Sequence, residues 1–394
     1  MLVVQTVLFG LTLWLGLYLL ARERPQAPMV LPGLTLTAFA LFAGLDALAN
    51  YTAAPSTRFL LSGASIALAA LTVPLAVAAL VALLRRRRPT AWRYASIAGV
   101  VLAALGVAAL LLVEEVGLRL AILPAASAGL LLLGLAAAVA DAAGKGERLL
   151  PDLLRSFDYS FFVALFLGGQ VAVVMFLATG VTAPMLALLL AIVATSVATQ
   201  VFLGRVQDAL DTIAFARLPW LRAARAELRE VADVLPRANP DIDVSSLDDD
   251  EFARLTRAAL SNYGDLPKLA ASPLNYLPAV DARLARRGAK DDALERAIEL
   301  KAVLTESILR LKPRDKGDFG TSDEWRYYNA LYFPYVAGLK PFSRRANGSA
   351  GAHNDPAARE ALEWFRTYVP ERTLYNWQTA AARLVAQDLR GRAE

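Results

Sequence analysis

The first 204 residues alternate apolar runs of about twenty residues with short polar breaks, whereas in the remainder apolar positions recur every three to four residues. A bilayer core of roughly 30 Å is crossed by about 20 helical residues, because inside lipid every backbone N–H and C=O must bond within its own segment. Seven runs meet that length: Leu2 to Ala21, Met29 to Ala49, Phe59 to Leu84, Tyr94 to Val113, Leu120 to Ala140, Tyr159 to Thr179 and Ala183 to Leu203. The first reads as a retained span rather than a cleaved leader, since no basic residue precedes it and Arg22 and Arg24 follow it.

Beyond Gly204 the period is helical, with hardly any strand alternation. Val206, Leu210, Ile213 and Leu218 carry the last span onward as helix to Pro219. Leu221, Ala224, Leu228, Val231 and Val234 mark a second amphipathic segment from Trp220 to Leu235, which Pro236 to Pro240 breaks. Ser246 is placed to cap a helix whose first turn is Asp248 to Glu251, running to about Tyr263. Another is predicted from Asp291 and Asp292 to about Leu311, with Leu294, Ile298, Val303, Leu304 and Ile308 on its apolar face. The pattern specifies an all-α chain: a seven-helix transmembrane bundle over 1–204, a helical linker or signalling region over 205–312, and a helical C-terminal domain over 313–394.

Charge sharpens this division. Residues 1–204 carry 12 Lys/Arg and 8 Asp/Glu, and residues 205–394 carry 29 and 28, so the two parts suit different solvents. Cations are retained on the cytoplasmic side during insertion. One set of alternate loops holds ten of them (Arg22, Arg24, Arg85 to Arg88, Arg93, Lys145, Arg148 and Arg155), and the other holds two, Arg58 and Arg119. The N-terminus is therefore expected outside and everything after Gly204 in the cytoplasm. The absence of cysteine excludes disulfides, thiolate nucleophiles and Cys-ligated metals, and a single histidine, His353, excludes His-rich metal sites.

Polar groups within spans are costly and so are candidate sites. Asp46, Gln170 and Gln200 are the candidates for sensing a ligand in the membrane, with Gln5, Thr195, Ser196 and Thr199 facing the bundle interior and Pro74 and Pro124 kinking their helices to open a pocket. The competing reading is that the amides and hydroxyls join helices and that Asp46 sits at the wet interface. No span contains lysine, which excludes a retinal Schiff base. The spans show no internal ion pairs, paired broken helices or internal repeat, which disfavours a transporter.

The order of parts, with the stretch Leu13-Trp14-Leu15-Gly16-Leu17-Tyr18-Leu19-Leu20-Ala21-Arg22, resembles the seven-helix sensor segment of membrane sensor histidine kinases. That resemblance implies a receptor unit over about half the chain. The tail lacks the kinase parts: His353 lies in a turn-prone stretch, no phosphate-binding loop is present, and Asp318-Phe319-Gly320 has none of the segments that accompany that tripeptide in protein kinases. Neither an enzyme nor a cofactor is expected.

A second resemblance covers about 70 residues. The run Pro370-Glu371-Arg372-Thr373-Leu374-Tyr375-Asn376-Trp377-Gln378, with Ala381, Leu384, Val385 and Leu389 as its apolar stripe, is similar to the recognition helix of region-four sigma-factor helix-turn-helix domains. Leu331 to Leu339 is similar to that family's first helix and Gly turn, and Glu360-Ala361-Leu362 to its support helix. The resemblance implies DNA contacts by Arg372, Thr373, Asn376 and Gln378, with Arg344, Arg345, Arg383, Arg390 and Arg392 neutralising phosphates. Residues 310–394 carry a net charge of +4, from 14 Lys/Arg and 10 Asp/Glu. The alternative is a protein-interaction domain whose core holds Trp364, Trp377, Tyr368 and Tyr375. The combined expectation is a bacterial inner-membrane one-component sensor. It answers an unknown small-molecule or membrane signal, and its tail acts on DNA, on a protein partner or through a homodimer.

Overall fold

The computed structural model describes residues 2–22, 27–85, 90–113, 115–145, 147–222, 225–226, 229, 242–244, 246–314, 317–342 and 355–391. The described residues are mostly helical and include no strand, and the chain divides into two compact units, each with its own core.

The first unit contains α1 (Leu2–Ala21), α2 (Ala27–Tyr51), α3 (Pro55–Leu84), α4 (Thr90–Leu112), α5 (Val116–Lys145), α6 (Leu149–Val174), α7 (Ala183–Val201) and α8 (Leu203–Ala214). The first seven are each long and apolar enough to cross a membrane. The inner faces of α1 and α2 bury Phe9, Leu15, Leu19, Leu36, Phe39 and Phe42. The outward faces stay apolar, with Phe176 89% exposed and Phe162 68%, a surface suited to lipid contact.

Small residues set the helix spacing. A Cβ built on Gly129 of α5 would lie 2.6 Å from the Gly99 carbonyl oxygen of α4 and 2.7 Å from the Ala103 nitrogen. Both neighbours are backbone, so only glycine permits this approach, as between small residues in membrane bundles generally. Gly129→Val is expected to force α4 and α5 apart and lower the unit's stability by about 1–3 kcal/mol, the usual range for overpacking. Gly63→Ala on α3, where an added Cβ meets nothing within 4 Å, should leave it unchanged. Thermal unfolding in detergent compares the two; equal melting points would refute the close-packing argument.

Three features depart from the sequence expectations. Pro74 and Pro124 lie inside unbroken α3 and α5, and neither lines the cavity between α1, α6 and α7. The last span does not run on to Pro219: α7 ends at Val201, Phe202 takes φ −99 and ψ 19, and α8 stops at Ala214. Gly204, in the first turn of α8, gives the helix little propensity across the junction. The first unit extends to Arg222, past the expected boundary at residue 204. Of the segment from Trp220 to Leu235, residues Ala224, Leu228, Val231 and Val234 lie outside the described residues, as do Pro236 to Pro240.

The second unit contains α9 (Asp249–Ser261), α10 (Leu266–Ala270), α11 (Pro278–Arg287), α12 (Ala293–Arg310), α13 (Arg326–Leu331) with a π turn at Tyr332–Val336, α14 (Pro356–Tyr368) and α15 (Glu371–Arg390). The cap of α9 is Asp248, whose carboxylate accepts from the Glu251 N–H at 2.6 Å; Ser246, the expected cap, instead bonds the Asp243 carbonyl. α12 begins as expected, with Asp292 accepting from Leu294 and Glu295. Its inward face differs by one position, because Ile298 is exposed and Glu299 is buried between Arg283 (2.8 Å) and Arg287 (3.2 Å). A hydrogen bond from Arg296 holds the Asp291 carboxyl below the usual carboxylate range.

Residues on both sides of 312/313 share one core: Phe252 and Leu260 of α9, Leu300 and Leu304 of α12, Phe333 after α13, Phe365 of α14 and Val385 of α15 are all buried together. The expected subdivision at that point therefore does not separate two cores.

Candidate functional site

Within the first unit, a set of buried charged side chains gathers near the ends of α1, α5 and α6. Arg22, whose side chain is only 3% exposed, pairs through Nε with Asp141 at 3.2 Å. Its Nη1 donates to the Tyr18 hydroxyl at 3.0 Å, and that hydroxyl donates to Asp152 at 2.8 Å. One helical turn away, the Trp14 indole N–H donates to Ser156 at 3.2 Å, and the Trp14 ring meets Phe157 edge-on at 5.1 Å. A charged clamp thus ties three spans together. From sequence Arg22 is an orienting loop cation and the end of the first-span stretch, and nothing in the sequence singles out Asp141 or Asp152.

Asp46 is not isolated. Arg119 of α5 donates to its Oδ1 at 2.7 Å, so the expectation that the spans lack ion pairs is corrected here and at Arg22. Each carboxylate has found a cation on another helix, as a costly intramembrane charge must. Gln170, expected to face the interior, is exposed on α6; Gln200 is half-buried on α7; neither lines the α1–α6–α7 cavity, and nor does Asp46. Gln5 and Ser196 are buried, whereas Thr195 and Thr199 are exposed. None of the three membrane candidates therefore lines that cavity.

In the second unit, α15 buries Leu374, Ala381, Val385 and Leu389 and exposes Arg372, Asn376 and Arg383, which lie four and seven residues apart and so share a face. Leu384, placed in the apolar stripe by the sequence, is 37% exposed. Thr373 is half-buried. Gln378 turns away from the exposed face, its amide donating to the Ala330 carbonyl at 3.3 Å. The helix's later cations meet acids of α9: Arg383 lies 3.6 Å from Asp250 and Arg390 lies 2.6 Å from Asp249. Arg344, Arg345, Arg392 and His353 lie outside the described residues.

The four aromatics split. Trp364 and Trp377 stack at 5.9 Å at the edge of the core, but Tyr368 is 74% exposed and Tyr375 57%. Arg257 of α9 lies over the Tyr375 ring at 4.1 Å. Beneath it, burial pushes the Tyr335 phenol up, opposed by a hydrogen bond with Ser261 and by the charge of Arg257. Arg372, Tyr375 and Asn376 form an exposed aromatic and polar patch, with Tyr368 four residues earlier at the end of α14. Sequence periodicity could show that these positions are not apolar, but not which elements cover them.

No protein-family model, no curated protein and no solved structure matches the chain.

Proposed function

We propose that the protein is a signal-coupling protein of the bacterial inner membrane: the seven-helix unit spans the bilayer and senses a membrane-borne or external signal, and the cytoplasmic helical unit passes the response to a protein partner. The carrying observation is the α15 surface. Gln378 is spent on an internal hydrogen bond and Arg383 and Arg390 face acids, which depletes the set a recognition helix needs at base edges and phosphates. What stays open is Tyr368, Arg372, Tyr375 and Asn376, and tyrosine and arginine are the residue types that concentrate binding energy in protein interfaces.

The Arg22–Asp141–Asp152 clamp supports the sensing half of the reading, since a small set of buried charges joining three spans is an element whose pairing a change in bundle packing can bias. The ten-to-two distribution of cations supports the orientation.

The test uses the full-length protein in its own membrane, with a photoreactive amino acid replacing Tyr375. The expected result is a nuclease-resistant adduct with one protein, reduced about tenfold or more by Arg372→Glu, as a hot-spot loss of roughly 1.4 kcal/mol or above requires. Purified protein in nanodiscs that retains duplex DNA at low salt and loses it steeply as salt rises would replace this reading with the DNA-binding one.

A further inference from the structure

Between α1, α6 and α7 lies a slot of about 540 Å3, within the roughly 300–1,000 Å3 of small-molecule sites. It follows α1 from Leu2 to Trp14, about 18 Å at 1.5 Å per residue, so it suits a long, thin occupant. Trp14 and Phe157 both line it and are in edge-on contact. Three other lining residues, Val3, Phe161 and Phe176, are at least half exposed on the outer surface, so the slot opens towards whatever surrounds the helices. For spans of this composition that is hydrocarbon.

Among the described residues no charged side chain lines the slot, and an ionised group moved into it would forfeit its hydration without a partner there. Two hydroxyls do line it: Ser160, which is 2% exposed, and Thr6. Ser160 Oγ and Thr6 Oγ1 are both buried atoms with no hydrogen-bond partner among the described residues. Buried hydroxyls are normally satisfied, and leaving one unmade is costly. A ligand oxygen at Ser160 would remove that cost.

We propose that the slot binds a single uncharged lipid chain, with a hydroxyl or carbonyl oxygen of that chain hydrogen-bonded to Ser160. Two sources offer this chemistry, a free long-chain alcohol and the acyl ester arm of a bilayer phospholipid. The inference rests on the seven helices crossing a bilayer and is independent of what the polar unit binds. Loss of lipid labelling and loss of the Tyr375 adduct are therefore separate failures.

Gly169 provides the blocking variant, because it lines the slot and a Cβ built on it meets nothing within 4 Å. A larger side chain there enters the slot rather than a neighbouring helix. The full-length protein in phosphatidylcholine nanodiscs is photolysed with a diazirine-bearing long-chain alcohol, and separately with phosphatidylcholine carrying the diazirine on one acyl chain; adducts are mapped by mass spectrometry. The slot residues of α1 and α6 should label saturably, with competition by the unlabelled parent compound. Gly169→Phe should cut that labelling at least tenfold while incidental labelling of the outward face of α3 stays constant. Ser160→Ala, which removes one oxygen and leaves the fold intact, should weaken labelling by the oxygen-bearing probe about fivefold and leave a pure hydrocarbon diazirine unaffected. Slot labelling by the alcohol assigns a free amphiphile, and by the phospholipid alone a bilayer lipid. Labelling spread over all outward faces without competition, or slot labelling indifferent to Gly169→Phe, overturns the proposal.

Discussion

Arg22→Met is expected to be among the most destabilising single substitutions in the seven-helix unit, costing about 3–5 kcal/mol, the loss seen when one partner of a buried ion pair is removed. The Arg22 side chain is almost fully enclosed and reaches Asp141 directly and Asp152 through Tyr18. Methionine fills much of the same space, so the change isolates charge and hydrogen bonding from packing. It takes Arg22 away from Asp141 and Asp152, both largely buried, and removing one member of a buried ionic cluster costs more than the cluster contributes relative to an apolar replacement. The double variant Arg22→Met, Asp141→Asn should therefore recover part of the loss, because it also removes a buried negative charge that Arg22 had faced. Arg22→Lys should fall between, since an ammonium offers no planar fork to reach the carboxylate and the phenol together. Thermal unfolding of the full-length protein in detergent orders the four proteins. A melting point for Arg22→Met level with the parent would show that the clamp contributes nothing.

The same cluster shows what sequence periodicity can and cannot reach. The seven spans were legible because a bilayer demands unbroken apolar length, and a long apolar helix falls on each of the seven runs. Partner choice was not. Arg119 lies 73 residues from Asp46, and only the adjacency of α2 and α5, which follows from packing, makes it the counter-ion. Gln170 looked like an interior group because an amide in a span ought to be shielded, yet α6 presents it outward. In the polar unit, Asp292 announced its helix through local cap chemistry, whereas the inward turn of Gln378 depends on Ala330 of a different helix. Local rules were readable and tertiary ones were not. The slot followed neither, since its walls are ordinary apolar residues whose only distinguishing mark is the pair of hydroxyls without partners.

Phe365→Ala is expected to be the most damaging change in the polar unit and to reveal its extent. Phe365 is fully buried on α14, among side chains contributed by α9, α12 and α15. Truncating a core phenylalanine costs about 3–5 kcal/mol through lost transfer energy and the cavity left behind, a large share of the roughly 5–15 kcal/mol that holds a domain together. Because one core spans residues 244–389, the loss should be cooperative. Amide exchange in the full-length protein should accelerate not only in α14 and α15 but equally in α9 and α12, while α1 to α7, which belong to a separate core, keep their protection. Acceleration confined to residues after 312 would mean that the last helices fold as an independent module, as a free-standing helix-turn-helix domain would. It would also return Arg383 and Arg390 to the DNA-binding reading, because the acids of α9 that face them would then no longer be held against α15.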